Sequence, residues 1–331
     1  MITQSLNNLD WHLRQIETDT WIPTKVPGCV HTTLINCGII PDPFVEDNEK
    51  KVQWVAKCDW EYRLVFEPDP DLLNQSSVLL ICDGLDTLAE VRINDSLVGN
   101  ANDMFIQYTW EVKNILKPGE NILNIIFHSP VKYAEKHHAI RPLPGVSQAI
   151  PGGNYLRKAP CQFGWDWGPQ LPPIGIWKDI KLVGYQAARF DDIRINQIHE
   201  DKNVILEILP SIQKISPAPL AIMAELSCPD NHTLVNKTDL IENQNKTKLN
   251  VLIQNPQLWY PNGYGNQPLY HLKITLLNHD KIEDIKEYRI GLRTLELIQE
   301  NDEGGRSFKF VVNGIPIFAK GSNWIPADSF P

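Results

Sequence analysis

The residues best suited to chemistry lie in the loop Gln162–Pro169, where Trp165 and Trp167 flank the carboxylate of Asp166. Tryptophan rings offer flat apolar faces on which sugar rings can stack, and a carboxylate accepts hydrogen bonds from neighbouring hydroxyl groups. This combination favours a carbohydrate-binding site. The residue types alone leave a structural alternative open, in which the two tryptophans close the end of a β-sandwich and Asp166 caps a turn.

Other kinds of reactive site have little support in the sequence. It contains no Gly-x-Ser-x-Gly elbow, no Gly-rich phosphate loop and no dinucleotide fingerprint. His137 and His138 adjoin, but neighbours in sequence seldom bind one ion, so we expect no metal and no cofactor. The Asn48-Glu49 pair lies in a run of charged residues, which favours a solvated surface over an acid/base role. No two carboxylates have the context of a glycosidase pair, so no catalytic residue is assigned.

The composition is that of a globular protein with about two domains. The chain has 331 residues, of which 21% are charged and 42% hydrophobic, so each domain can bury its own core. The net charge is −9 and no dense basic cluster occurs. Nucleic acid and anionic membranes are therefore not expected as partners.

The sequence also predicts a compartment. No apolar run reaches the roughly 18 residues that span a bilayer, and the first ten residues are polar where a signal peptide would be apolar. The six cysteines are dilute and form no Cys-x-x-Cys pair, which favours free thiols in a reducing environment. We expect a soluble cytoplasmic protein.

Short β-like runs separated by turn residues extend from Trp54 to Phe127, a pattern typical of an antiparallel sandwich or jelly roll. The predicted strands are Trp60–Phe66, Val78–Asp83, Ala89–Ile93, Trp110–Val112 and Ile122–Phe127. Asn94-Asp95-Ser96 predicts a hairpin turn. The many prolines between Ser129 and Gln170 predict a long functional loop without regular structure, and Ile174–Tyr185 predicts the last strand.

A second β-rich unit is predicted from about Gln186 to Leu297. About six strands in about 110 residues suit an immunoglobulin-like sandwich. They are Ile193–Ile198, Val204–Leu209, Leu220–Ser227, Leu249–Ile253, Tyr270–Leu277 and Asp284–Leu292. The polar stretch Asn231–Lys246 predicts a mobile loop.

The last residues predict a hairpin around Asn313-Gly314, between Phe308–Val312 and Pro316–Lys320, with a buried strand at Ile317–Ala319. About 35 residues cannot form a core alone, so we expect further polypeptide downstream.

Taken together, several motifs resemble the N-terminal half of the β-mannosidases of glycoside hydrolase family 2, over nearly the whole chain. The most specific are the segment Phe163–Pro169 (FGWDWGP) and the segment Lys320–Phe330 (KGSNWIPADSF). Supporting motifs are Val26–His31, Asp83–Thr87, Asn102–Phe105, Arg157-Lys158, Gly175–Asp179 and Trp259–Gly265.

The resemblance implies an all-β architecture in three parts. Residues 1–186 would form a jelly-roll, galactose-binding-like sandwich, residues 187–297 an immunoglobulin-like sandwich, and residues 298–331 the first hairpin and strand of a (β/α)8 barrel. The loops at the strand ends of such a barrel carry its active site. On this basis the resemblance implies that Trp165, Asp166, Asn323, Trp324 and Asp328 bind the substrate, a terminal β-mannoside.

The resemblance also implies what this chain does not contain. Both catalytic glutamates of the family would lie beyond Pro331, so the fragment is expected to be inactive and to need the catalytic barrel of the same polypeptide as its partner. Its barrel-facing apolar surface would be available for homodimer formation. Two alternatives stay open: a stand-alone carbohydrate-binding or interaction module, and a family 2 glycosidase for a β-galactoside or a β-glucuronide.

Overall fold

Two β-rich units make up the chain in the computed structural model, which describes residues 1–240 and 245–331 apart from the side chain of Asp302. The first unit comprises Ile2–Gly184 together with Ile325–Pro331. The second unit comprises Tyr185–Trp324 together with Met1. Among the described residues, no helix has the length and apolar character needed to cross a membrane.

The first unit is built mainly from two antiparallel layers of strands. Its strands are β1 (Ile2–Ser5), β2 (Trp11–Gln15), β3 (Ile22–Thr24), β4 (Trp60–Phe66), β5 (Ser77–Cys82), β6 (Leu85–Asp86), β7 (Ala89–Ile93), β8 (Ser96–Ala101), β9 (Tyr108–Glu111), β10 (Asn121–Phe127), β11 (Gly175–Ile176) and β12 (Ile180–Tyr185). One sheet has the order β3-β2-β4-β10-β7-β8, the second has the order β1-β12-β5-β9, and β11 pairs with β6.

The core of this unit consists largely of side chains from alternate positions along its strands. In β10, for example, Leu123, Ile125 and Phe127 are fully buried, because every second residue of a strand points to the same face. The turn between β7 and β8 has positive φ at both Asn94 and Asp95, which these residues tolerate better than others. The predicted hairpin is confirmed.

Four short α-helices connect strands of the first unit: α1 (Val30–Asn36), α2 (Asn48–Lys51), α3 (Pro70–Leu73) and α4 (Pro130–Ile140). Three single-turn 3-10 helices occur at Val55–Lys57, Gly153–Tyr155 and Pro160–Phe163. Helix α4 corrects the prediction of an irregular segment from Ser129 to Gln170. The Ser129 side chain accepts a hydrogen bond from the backbone N–H of Lys132, and Pro130 occupies the first helical turn. A capping serine followed by proline is a helix-start signal that outweighs the weak periodicity of the residues behind it.

The second unit contains β13 (Ala188–Glu200), β14 (Asn203–Lys214), β15 (Leu220–Ser227), β16 (Thr233–Asp239), β17 (Leu249–Gln254), β18 (Tyr270–Asn278) and β19 (Lys281–Ile290). They form a three-stranded sheet in the order β13-β14-β17 and a four-stranded sheet in the order β16-β15-β18-β19. Their buried side chains form one hydrophobic core. The prediction of an all-β chain with two sandwiches is confirmed.

Strand β16 was not expected, because its residues fall in the polar stretch predicted as a mobile loop. Its side chains alternate between exposed and half-buried positions along its seven residues. It pairs on one side with β15, from Thr233 opposite Ser227 to Asp239 opposite Ala221. An edge strand with one solvated face needs few apolar residues, which explains the polar sequence. Residues 241–244 of the predicted loop lie outside the described residues.

The last strands of the second unit are β20 (Leu295–Ile298), β21 (Asn301–Asp302), β22 (Gly305–Arg306), β23 (Lys309–Val312) and β24 (Ile315–Ile317). They form a three-stranded sheet in the order β20-β23-β24 and a two-stranded hairpin of β21 and β22. Asn313 and Gly314 both have positive φ, as a tight two-residue hairpin requires. The predicted burial of Ile317–Ala319 is wrong, because Phe318 is 75% exposed. Among the described residues, β24 pairs only with β23, so no second neighbour covers it.

Candidate functional site

A tight turn holds the aromatic loop of the first unit. The backbone N–H of Trp165 donates to the carbonyl of Gly168 at 3.1 Å, and the N–H of Gly168 donates to the carbonyl of Trp165 at 3.4 Å. Asp166 and Trp167 therefore form the tip of the turn. The two tryptophan rings lie 6.4 Å apart at an angle of 35°, and both are exposed.

Gly164 sets the direction in which this turn leaves the sandwich. Its φ is +104°, and a Cβ atom added there would lie 2.7 Å from Cγ of Gln170 and 2.9 Å from the carbonyl oxygen of Gln148. Only glycine combines that backbone conformation with such a close approach.

Two contacts fix the C-terminal end of the loop. A carboxylate oxygen of Glu49 accepts a hydrogen bond from the backbone N–H of Gln170 at 2.7 Å, and the amide of Gln53 donates to the carbonyl of Gln170 at 2.7 Å. The expectation that Glu49 belongs to a solvated charge run is therefore wrong. Helix α2 places the half-buried side chain of Glu49 against the loop, where its carboxylate accepts the hydrogen bond of the Gln170 backbone N–H.

A buried ion pair holds the base of the loop. The ammonium group of Lys158 donates to the carboxylate of Asp86 on β6 and, at 2.9 Å, to the carbonyl oxygen of Pro173. The Thr87 hydroxyl donates to the same carboxylate. Burial lowers the pKa of Lys158, and the negative charge of Asp86 opposes that shift. One side chain thus joins residues 158 and 173, the two ends of the segment that carries the tryptophans.

The last residues of the chain lie against this loop. A cavity of about 460 Å³ is lined on one side by loop residues and on the other by the final segment. The lining residues are Phe44, Cys161, Gln162, Trp167, Gly168, Pro169 and residues 325–329. The Oε1 atom of Gln162 is buried and has no hydrogen-bond partner within the described residues. An exposed ring, a carboxylate from Asp328 and a buried amide therefore share one cavity of a size typical of small-molecule sites.

Of the site residues predicted from sequence, the structure brings Asp328 to this cavity. Its Oδ1 atom accepts a hydrogen bond from the backbone N–H of Phe330 at 3.1 Å, which shapes the turn of the final segment. Asp166 is exposed at the tip of the turn, and its carboxylate has no protein partner in the described part of the chain. Asn323 and Trp324 belong to the second unit and are exposed, Trp324 to 84%.

Trp165 and Trp167 line different cavities. Trp165 contributes to a cavity of about 620 Å³ that is lined by Pro160, Phe163, His138 and the residues between 143 and 154. Trp167 is the residue that the sequence prediction left out of the site. Its place beside Asp328 depends on the tight turn between Trp165 and Gly168, and sequence alone does not fix that turn.

The comparisons with known proteins agree with this architecture. Residues 11–178 match a family model described as the glycosyl hydrolase 2 galactose-binding domain-like family, and residues 188–293 match the model of glycosyl hydrolases family 2. The chain is similar to the β-mannosidase of Bos taurus, with 34% identity over 97% of this chain and 38% of that protein.

Solved structures show the same relationship. A β-D-mannosidase from Dictyoglomus thermophilum superposes with a TM-score of 0.92 and 38% identity, covering all of this chain and 41% of that one. An exo-chitosanase of Amycolatopsis orientalis superposes with a TM-score of 0.70 at 16% identity over 98% of this chain and 37% of that one, a similarity of fold alone. The chain therefore spans about two fifths of the length of the relatives that it matches, and it belongs to glycosyl hydrolase family 2.

Proposed function

We propose that this chain is the non-catalytic N-terminal portion of a retaining exo-β-mannosidase and helps to hold a terminal β-linked mannose. Mannosidases at 34% and 38% identity match essentially its whole length, which supports this substrate over a β-galactoside or a β-glucuronide. The single observation that carries the proposal is the cavity that Trp167 and Asp328 share in the first unit.

The chemistry of the site suits a sugar. The exposed ring of Trp167 can stack on the C–H face of a pyranose, and the exposed carboxylate of Asp166 can accept hydrogen bonds from its hydroxyl groups. The final segment supplies the opposite wall and the carboxylate of Asp328. These groups bind and orient the sugar, and they exclude water from one side of it.

Hydrolysis with retention requires two further carboxyl groups about 5–5.5 Å apart, one as nucleophile and one as acid/base. In this proposal both are glutamates of a (β/α)8 barrel that follows in the same polypeptide. The 331-residue chain alone is therefore expected to release no aglycone from an aryl β-mannoside. Reading the gene beyond the codon for Pro331 tests the same point, because a barrel-sized extension with an Asn-Glu pair is expected and a stop codon would favour a stand-alone binding module.

The activity test compares this chain alone with a fusion in which it replaces the matching 41% of the Dictyoglomus thermophilum enzyme. The fusion is expected to hydrolyse an aryl β-mannoside faster than the matching β-galactoside or β-glucuronide. In the fusion, Asp166→Ala should lower kcat/KM by about 10- to 150-fold, the equivalent of a lost charge-assisted hydrogen bond of about 1.5–3 kcal/mol. Turnover by the 331-residue chain alone, or unchanged kinetics in a folded Asp166→Ala fusion, would contradict the proposal.

We also propose a reducing, cytoplasmic compartment for the protein. All six cysteines are free, and Cys29, Cys82 and Cys228 are buried. Burial raises the pKa of the Cys29 thiol, which keeps it protonated and slow to oxidise. Immunodetection in fractions of the source cells tests this proposal, and recovery of the protein in an exported fraction with oxidised cysteines would contradict it.

A further inference from the structure

A second group of ligating side chains lies in the other unit, in the turn between β15 and β16. The five residues Cys228–His232 connect the two strands. The backbone N–H of Cys228 donates to the carbonyl of His232 at 2.9 Å, and the N–H of Asn231 donates to the carbonyl of Cys228 at 2.9 Å. Asn231 has a φ of +70°, a conformation that asparagine tolerates. Two backbone hydrogen bonds therefore define the shape of the turn.

This turn directs three different donor groups to one point. The Sγ atom of Cys228, a carboxylate oxygen of Asp230 and a ring nitrogen of His232 all lie within 4.8 Å of one another. The Nδ1 atom of His232 is already 2.5 Å from Oδ1 of Asp230. The Cys228 residue is only 6% exposed, whereas the other two side chains are solvated. The thiol has no disulfide partner and no hydrogen-bond partner in the described ranges.

We propose that Cys228, Asp230 and His232 form a binding site for a zinc-type divalent cation. A thiolate and an imidazole select borderline-soft ions such as Zn²⁺ over Mg²⁺ and Ca²⁺, which prefer sets of oxygen ligands. Zinc bonds of about 2.3 Å to sulfur and about 2.0–2.1 Å to nitrogen and oxygen require the donor atoms to adjust by an ångström or so. The solvated side chains of Asp230 and His232 can make that adjustment by rotation.

The site has three protein ligands, so water completes a tetrahedral set. On binding, the Cys228 thiol gives up its proton to solvent and its sulfur bonds to the ion, with no change in oxidation state. A bound ion would hold the turn that precedes the edge strand β16 in one conformation. This assignment is independent of the sugar site, because all of its residues belong to the second unit.

The test uses the 331-residue chain after chelator treatment, kept reduced with a phosphine and titrated with Co²⁺ as a spectroscopic probe. We expect one equivalent of Co²⁺ to produce a thiolate-to-metal charge-transfer band, and Zn²⁺ to remove that band by displacement. Addition of Zn²⁺ should also raise the thermal midpoint of unfolding, whereas Mg²⁺ should not.

Matched variants locate the ligands. Cys228→Ser should abolish the band, and His232→Gln should weaken binding by about tenfold or more while leaving the fold intact, because its side chain is solvated. Cys37→Ser removes an exposed free thiol and should leave the titration unchanged. A wild-type titration without a thiolate band, or a band that survives Cys228→Ser, would overturn the assignment whatever the outcome for the sugar site.

Discussion

The ring of Phe330 stacks on the ring of His31, with centroids 5.1 Å apart and an angle of 22° between the planes. The ring of Phe44 contacts the same Phe330 ring edge-on, with centroids 5.8 Å apart. His31 lies in helix α1 and is 1% exposed. The stack therefore attaches the final segment, which carries Asp328, to the core of the first unit and fixes one wall of the proposed sugar cavity.

Removing the Phe330 ring should detach that wall. Phe330→Ala is expected to lower the free energy of unfolding by about 1–2 kcal/mol, since a half-buried aromatic loses part of its hydrophobic area and its ring contacts. Urea denaturation of the 331-residue chain measures the change. Phe318→Ala is the control, because that ring is 75% exposed and its removal should cost almost nothing. Equal effects of the two substitutions would show that the stack does not hold the segment.

His31 should make stability depend on pH. Burial, followed by the positive charge of Lys158, lowers the pKa of His31 to about 3. The unfolded chain, with an imidazole pKa of about 6.5, binds this proton first, so the stabilisation is complete above about pH 6.5 and declines as the pH falls toward 3. Between pH 7 and pH 5 the wild type is expected to lose about 2 kcal/mol through this residue.

Urea denaturation at the two pH values measures that loss. His31→Gln should remove most of the difference between pH 7 and pH 5, whereas His271→Gln, which changes an exposed histidine, should retain it. If His31→Gln shows the same pH dependence as the wild type, other groups are responsible for it.

The buried pair of Lys158 and Asp86 should behave as a unit. Lys158→Met is expected to destabilise the first unit by about 3–5 kcal/mol, because it leaves the carboxylate of Asp86 buried without a counter-charge. Adding Asp86→Asn to Lys158→Met should recover part of that loss, since the remaining group is then neutral. A double-mutant cycle by urea denaturation provides the measurement, and simple additivity of the two changes would contradict the coupling.

The two tryptophans of the turn should differ in their effect on sugar processing. In the fusion with the Dictyoglomus thermophilum enzyme, Trp167→Ala is expected to lower kcat/KM for an aryl β-mannoside by about tenfold, equivalent to about 1.4 kcal/mol of lost contact. Trp165→Ala should have a smaller effect, because that ring lines the other cavity. A larger loss for Trp165 would assign the sugar to the cavity beside His138.

Most of the fold could be predicted from short runs of strand-forming residues separated by turn residues. Strands such as Trp60–Phe66 and Ala89–Ile93 agree with the sequence expectation residue for residue, because runs rich in aromatic and β-branched residues are bounded by turn residues. Helix α4 and strand β16 lack that signal. Helix α4 is specified by a cap at Ser129. Strand β16 is specified by its pairing with the preceding strand β15, which its own polar residues do not indicate.

Local sequence likewise predicts only part of each candidate site. The aromatic motif around Asp166 was recognisable from residue types alone, but the assignment of Trp167 to the cavity depends on the turn between Trp165 and Gly168. The Cys-x-Asp-x-His turn carries no familiar metal spacing, and only the backbone bonds of the turn bring its three donors together. The resemblance to a protein family supplied the pairing of the aromatic loop with the final segment, which composition and periodicity do not specify.

The hydrogen bond from the Lys158 ammonium group to the carbonyl oxygen of Pro173 has a thermodynamic consequence for ligand binding. If the segment between residues 158 and 173 were free, it would lose much of its conformational entropy when a ligand bound. The affinity would be lower for that reason. Here that ordering is completed when the chain folds. In the proposed site, a sugar would meet rings and carboxylates that are already in place, and its weak individual contacts would add up to a higher affinity.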